Sequence, residues 1–447
     1  MTTPDRTPVK VGLLTAASLV IANMVGTGIF TSLGFQIEYL SSPFALLMLW
    51  VVGGGMALCG ALVYGELGAA LPRSGGEYHL ISELYHPGLG FIAGWISATL
   101  GFAGPIALAA IAFGEYTAAV FPSLSPTHLA AGIVLVSSLI HGTSIRWGAR
   151  FQNTFTILKV LLILVFIAMA ARVDPSHTIA VLPDATAVSE LITPGFAVSL
   201  VFVTYAYTGW NAAIYIVGEI RSPERNLPRS LVLGTALVTV LYVLLNFVFL
   251  YTVPAGEMAG RVEIGYLSGQ VIFGEVGGQV MSIFIALLLV STVSAMVYLG
   301  PRVTQAMGED ASAIRWLAIT NSRGIPIVSV VFQAAIALAF IYTSTFEQVL
   351  IYAGFTLTLV TSLTVAGIFV LRWRMPEVDR PYKTWGYPVT PLLFLALNVW
   401  ILIYVFIDKP TESLVGLGIV GVGGIIYWIS RYFNVAEPAP SEADATP

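Results

Sequence analysis

The chain of 447 residues holds one cysteine, Cys59, and only 10% of its residues are charged. Ordinary soluble domains carry about 25% charged residues. A single cysteine excludes an internal disulfide and any cysteine-based metal site. The five histidines (His79, His86, His128, His141 and His177) fall at the ends of apolar runs or in loops, and none forms an i, i+4 pair. No metal site is therefore expected. No glycine-rich loop runs into Lys-Ser or Lys-Thr, which excludes a P-loop ATPase. The net charge of −4 is small, and there is no basic, aromatic-interleaved patch for nucleic acid. No polar linker divides the chain, and no small-residue cleavage site follows the first apolar run, so no cleaved signal peptide is expected.

What is present is apolar length. Hydrophobic residues make up 57% of the chain and the mean hydropathy is +0.86. The sequence predicts one all-α membrane domain with twelve transmembrane helices, at 11–37, 43–70, 88–120, 127–142, 149–171, 193–218, 230–253, 276–304, 326–343, 347–372, 387–407 and 413–431. Each has close to the roughly 20 residues that cross about 30 Å of hydrocarbon. Residues 1–10 and 432–447 are polar ends, the second rich in Pro, Ala and acids and expected to be disordered. With the N-terminus in the cytoplasm, sixteen of the twenty Lys and Arg face inward and three outward, with Lys159 inside a span. That asymmetry predicts cytoplasmic N- and C-termini in a cell (inner) membrane protein.

The first span carries Asn23-Met24-Val25-Gly26-Thr27-Gly28-Ile29-Phe30 near its middle. Glycine costs about 1 kcal/mol relative to alanine inside a helix, and two within three residues invite unwinding. Unwound backbone at membrane depth is tolerated only inside protein or along a cavity. The half-helix that follows such a break offers N–H groups to an anion such as a carboxylate. The competing explanation is a small-residue packing contact. The sixth span has its own interruption at Tyr205-Ala206-Tyr207-Thr208-Gly209-Trp210, at a matching depth. Five spans separate the two, so the second half enters from the opposite face. Broken helices opening each half predict a five-plus-five inverted repeat. Residues 11–171 would form the first repeat and 193–372 the second, with the helices in 387–431 appended.

Lys159 is the lone basic residue at the centre of a span. An intramembrane lysine is expensive and is a functional candidate by default. Glu66 and Glu115 lie nearer span ends and read as interfacial or paired carboxylates rather than proton relays.

The ordered motifs resemble the amino acid–polyamine–organocation transporter superfamily, and most closely bacterial permeases related to the L-type amino acid transporters. They are Gly26-Thr27-Gly28-Ile29-Phe30, Tyr64-Gly65-Glu66-Leu67, the stretch Leu71 to Tyr78, Phe151-Gln152-Asn153 with Lys159, Tyr207-Thr208-Gly209-Trp210-Asn211, the loop Glu219 to Arg229, and Gly300-Pro301-Arg302. The resemblance implies the leucine-transporter fold and no cofactor. It implies that a substrate α-carboxylate binds the amides of Gly26, Thr27 and Gly28, with the Thr27 hydroxyl as a further donor. The α-ammonium would bind carbonyls of Met24, Tyr205, Ala206 and Thr208. Tyr205 stands at the aromatic gate, and a threonine at 208 leans toward small substrates. Lys159 would replace a bound sodium ion, reaching the first break and a hydroxyl of the eighth span, for which Ser291, Thr292 and Ser294 are the candidates. It is open to two roles, carrier of a transported proton or permanent structural cation.

The function expected is sodium-independent transport of neutral, small L-amino acids by alternating access, as an exchanger or a proton symporter. The partners are the amino acid, the bilayer and protons. Cys59 lies within the second span, which offers no evident anchor for a disulfide-linked accessory subunit. The alternative is a permease for cationic amino acids or polyamines, or an exchanger of an acidic amino acid. A cationic substrate wants an acidic side chain near the breaks, and none is found. A membrane enzyme lacks its paired catalytic groups at mid-span, and a channel lacks its ring of charge.

Overall fold

The computed structural model describes residues 10–143, 148–174, 179 and 181–436; the side chains of 148–153 and 433–436 are also outside the description. The polar N-terminus up to residue 9, His177 and most of the C-terminal tail therefore lie beyond it, as do the side chains of Phe151, Gln152 and Asn153.

The described chain is helical, with no named strand, and one isolated bridge joins Val11 to Ile220. The first apolar run becomes α1 (Leu13–Met24), α2 (Gly28–Thr31) and α3 (Leu33–Gln36). Then come α4 (Pro43–Ala70), the short α5 (Gly76–Leu84), α6 (Pro87–Ile96), a π-helical segment Ser97–Ala103, α7 (Gly104–Ala118), α8 (Pro126–Thr143) and α9 (Gly148–Ala170). The second half opens with α10 (Ala185–Glu190) and α11 (Pro194–Ala206), followed by a 3₁₀ segment Ala212–Glu219, α12 (Pro223–Thr252), α13 (Ala255–Met258) and α14 (Ile264–Asp310). It ends with α15 (Ile327–Thr343), α16 (Phe346–Arg374), α17 (Val389–Asp408) and α18 (Pro410–Ala436).

Among the described residues, eight helical stretches are long and apolar enough to cross a membrane: 13–31, 43–70, 87–118, 223–252, 264–310, 346–374, 389–408 and 410–432. Three shorter apolar helices cover 154–170, 194–206 and 327–343. The chain is thus a multi-pass membrane protein. Several boundaries depart from the sequence expectation, among them the start of the seventh span, Pro223 rather than 230. The eighth window was placed at 276–304, but helix runs from Ile264 to Asp310 with a turn at Gly274, whose φ of 76° belongs to the left-handed region. Glycine adopts that region without steric cost, so one helix ends and another starts there.

Helix starts follow from local chemistry. Ser42, Thr193 and Thr345 each accept a bond from a backbone N–H of the first turn, and proline follows the first two directly. Such caps satisfy amides that the helix leaves unpaired, and proline at the first helical position has no N–H to lose. Small residues then set the approach of helices. On α4, Gly53 faces Val203, Gly54 faces Thr239 and Gly60 faces Trp210, each so close that a Cβ would collide. Apolar helices in lipid gain little from hydrophobic burial against one another, so close backbone packing has to hold them.

Two buried polar clusters tie distant segments. Glu66, fully buried, takes a bidentate pair from Arg372 at 2.9 and 2.7 Å and the Thr384 N–H at 2.5 Å. It joins α4 to α16 and to the segment before α17. Glu77 on α5 accepts from the Tyr64 hydroxyl at 3.1 Å and from Asn211 and Tyr215. It joins α4 and α5 to the chain just past the second break.

Candidate functional site

The two interruptions seen in the sequence are real breaks, and tertiary packing brings them together. α1 ends at Met24, and Val25–Thr27 is non-helical before α2 begins at Gly28. α11 ends at Ala206, and helical structure resumes only at Ala212. A Cβ on Gly28 would lie 2.7 Å from the Cα of Ala206, so the first break rests directly on the second. A Cβ on Gly209 would lie 2.7 Å from the Asn23 carbonyl carbon, a second point of contact. Gly209 also has φ +97°, which no other residue adopts without strain.

Hydrogen bonds at this crossing are unevenly shared. Among the described residues, the amides of Gly26, Thr27 and Gly28 donate to no backbone carbonyl. They open α2, where the helix partial charge is positive. Thr27 is buried, and its carbonyl takes the Thr31 hydroxyl at 3.1 Å. On the facing side, the Met24 and Ala206 carbonyls have lost their helical partners. Both are held by one residue, Tyr242 of α12, whose hydroxyl lies 2.5 Å from Met24 O and 3.3 Å from Ala206 O. The ring of Tyr242 packs edge-on against Trp50, with centroids 5.6 Å apart. Sequence reading passed Tyr242 over; the only local signal was a lone hydroxyl-bearing aromatic in the middle of an apolar span.

One expected ligand group is otherwise engaged. The Tyr205 carbonyl was expected to be free, but it accepts both the Thr208 N–H at 2.9 Å and the Thr208 hydroxyl at 2.7 Å. A carbonyl oxygen has two lone pairs, and this turn uses both. The Tyr205 side chain is buried at the crossing with Val201 and Gly354 nearby. Behind the second break lies a cavity of about 40 Å³ bordered by Met56, Tyr205, Thr208, Thr358, Thr361 and Asn398. That volume accommodates ordered water, which needs about 10–15 Å³ per molecule. On one side of the crossing Phe35 stacks on Phe202 and on Phe346, with centroids 5.8 and 5.7 Å apart, closing α3 against α11 and α16.

Lys159 is 5% exposed, and its ammonium donates to the Thr292 hydroxyl at 2.8 Å. Of the three candidate partners, the structure selects Thr292. Ser291 is buried without a bond to the lysine, and Ser294 pairs with His141 Nε2 at 2.8 Å. The helix carrying Lys159 packs on both α1 and α14. Among the described residues the ammonium makes no hydrogen bond to the first break, so the reach expected there is not made in this arrangement.

Two broken helices thus cross at a polar point inside a bundle of apolar helices. Residues 11–429 match the family described as Amino acid permease, and the chain belongs to that family. It is 29% identical over 436 residues to the large neutral amino acids transporter small subunit 2 of Rattus norvegicus, covering 95% of this chain and 81% of the relative. It is 27% identical over 436 residues to the Asc-type amino acid transporter 1 of Mus musculus (95% and 82%). Against the b(0,+)-type amino acid transporter 1 of Homo sapiens it is 25% identical over 427 residues (94% and 87%). The protein moves amino acids across a membrane and is not an enzyme.

Proposed function

We propose that the protein is a sodium-independent transporter of small neutral L-amino acids, working by alternating access as an exchanger or proton symporter. The contact between the two breaks carries this assignment. The amides of Thr27 and Gly28, without a backbone acceptor among the described residues, and that of Gly26, beside the Tyr242 hydroxyl, suit the α-carboxylate. The freed carbonyls of Met24 and Ala206, with Thr208 beside them, suit the α-ammonium, which takes over their hydrogen bonds from Tyr242. No acidic side chain is needed, which favours a zwitterion over arginine or a polyamine. Tyr205 and Thr208 stand at the second break, beside the place proposed for the substrate side chain; the small cavity they border lies behind that break. Lys159, fixed on Thr292, supplies a cation that makes sodium unnecessary.

The frame for this mechanism is a twelve-span leucine-transporter fold, with residues 11–171 and 193–372 as inverted repeats and 387–431 outside them. Both termini face the cytoplasm, in the cell membrane. Residues 1–10 and the tail 432–447 are cytoplasmic appendages.

The test is uptake of labelled L-amino acids into proteoliposomes, run with and without sodium, a proton gradient and internal amino acid. Uptake of alanine or serine that ignores sodium and is lost in Lys159→Ala supports the proposal. Acceleration by internal substrate identifies exchange, and acceleration by the gradient identifies symport. Uptake of arginine, a polyamine or glutamate alone overturns the substrate class and leaves the permease fold intact.

A further inference from the structure

Away from the breaks, the end of α8, the stretch 297–302 of α14 and the start of α15 meet around a small cleft bordered by His141, Tyr298, Pro301, Arg302, Ile325 and Pro326. Its charge is of one sign. The Arg302 guanidinium lies 3.6 Å over the Tyr298 ring and donates to the Tyr298 carbonyl on its own helix. Arg323, in the loop before α15, donates to the Thr143 carbonyl at the end of α8, two residues past the cleft-lining His141. His141 is 8% exposed and keeps its Nε2 on Ser294. Among the described residues neither arginine has a carboxylate at ion-pair distance. The first turn of α15 begins at Pro326 without a side-chain cap. Its N–H groups add positive partial charge at the same corner.

The surface leading away from this corner is apolar. Leu135, Val136, Leu139 and Ile140 on α8 are 47–69% exposed, and Val331 on α15 is 61% exposed. Cations at the end of a bundle, continuous with a lipid-facing apolar track, match a molecule with an anionic head and hydrocarbon chains.

We propose that this corner binds an anionic phospholipid, with Arg302, Arg323 and the open start of α15 on its phosphate and its chains along Leu135, Leu139 and Val331. Arginine suits phosphate because its planar fork donates two parallel hydrogen bonds. Basic pockets between spans on the cytoplasmic side are a recurring form of headgroup site. That this corner lies in the cytoplasmic leaflet rests on the topology proposed above; the chemistry of the site does not. Ser294, bonded to His141, stands two residues from Thr292, so the corner shares a stretch of α14 with the Lys159 contact.

The experiment measures the thermal unfolding midpoint of the purified full-length protein in detergent. The additives are phosphatidylglycerol, phosphatidylcholine or inorganic phosphate, in wild type, Arg302→Gln, Arg302→Lys and Arg302→Gln/Arg323→Gln. Phosphatidylglycerol is expected to raise the midpoint and phosphatidylcholine to leave it unchanged. Each arginine removed weakens the phosphatidylglycerol titration about fivefold, while Arg302→Lys, which keeps the charge and loses the fork, falls between wild type and Arg302→Gln. Arg374→Gln, at the exposed end of α16, leaves the titration unchanged. Equal response to both lipids, or wild-type affinity in the double variant, overturns the proposal. Inorganic phosphate protecting as well as the lipid at equal phosphate concentration assigns a soluble anion and also overturns it. If the double variant does not fold, Arg302→Gln decides, since among the described residues that side chain bonds within its own helix. No transport is measured, so failure here leaves the amino acid assignment standing.

Discussion

Substituting Gly28 by alanine tests whether the crossing of the two breaks is the working part of the molecule. The new Cβ meets the Cα and Cβ of Ala206 at 2.7 Å, while ordinary contact begins at 3.4 Å. The obstacle includes backbone, so no rotamer change relieves it, and the two breaks must separate by about 0.7 Å. Overpacking of this kind costs about 1–3 kcal/mol. Alanine in place of glycine in a helix returns up to about 1 kcal/mol. The net loss of stability is therefore modest, and the sensitive readout is transport. Displacing a binding constellation by about 1 Å costs on the order of 100-fold in rate. Gly28→Ala should reach the membrane, run as a monodisperse species and lose about two orders of magnitude in amino acid uptake into proteoliposomes. Gly55→Ala is the matched control, because nothing lies within 4 Å of its added Cβ. Uptake by Gly28→Ala within twofold of wild type would refute the assignment of the crossing as the substrate site.

Tyr242→Phe keeps the ring packing on Trp50 but leaves the Met24 and Ala206 carbonyls without their shared donor. Because the ammonium is proposed to replace this hydroxyl at the two carbonyls, losing the competing donor should lower the uptake KM, by up to about tenfold, equivalent to ~1.4 kcal/mol, while the carbonyls left unpaired in the empty protein lower its unfolding midpoint. Glu66→Gln strands the Arg372 guanidinium, whose side chain is 21% exposed. Breaking a buried pair by removing one charge costs about 3–5 kcal/mol, toward the lower end for this partly wetted arginine, and should appear as a lowered unfolding midpoint. Removing both charges, as Glu66→Leu/Arg372→Met, should recover most of that loss. His79 on α5 gives a pH dependence. Burial pushes its imidazole below the ordinary value of 6.5; Glu83 partly offsets this and Arg73 reinforces it. As pH falls through about 6.5 the unfolded chain takes up the proton first, so this contribution to stability is full above that pH and declines below it. His79→Gln should flatten the fall in unfolding midpoint between about pH 7 and 5.

Much of the architecture was legible in the sequence because its causes are local. Long uncharged runs dictate spans wherever water is absent, since a helix satisfies every backbone group by itself. Gly26, Gly28 and Gly209 mark the breaks because glycine alone releases the helix so readily, and the cap-plus-proline pairs at 42–43 and 193–194 mark helix starts. The motif set from Gly26 to Arg302 was enough to indicate the family to which the chain belongs.

Pairings between distant residues had no such local signature. Thr292 rather than Ser291 or Ser294 receives Lys159, because the rotation of α14 against α9 decides which hydroxyl faces the ammonium. Glu66 and Arg372 stand 306 residues apart, and only the packing of α4 beside α16 makes them one ion pair. Tyr242 reaches across 218 residues to Met24, filling a role that nothing around position 242 announces. The Tyr205 carbonyl, which looked free from its place at the break, is closed by Thr208 because the chain turns there instead of merely unwinding. Local sequence determined where the helices run and where they fail, through backbone hydrogen bonding and glycine's freedom. Tertiary structure alone decided which side chains meet those failures, because that depends on the rotation and depth at which rigid helices pack.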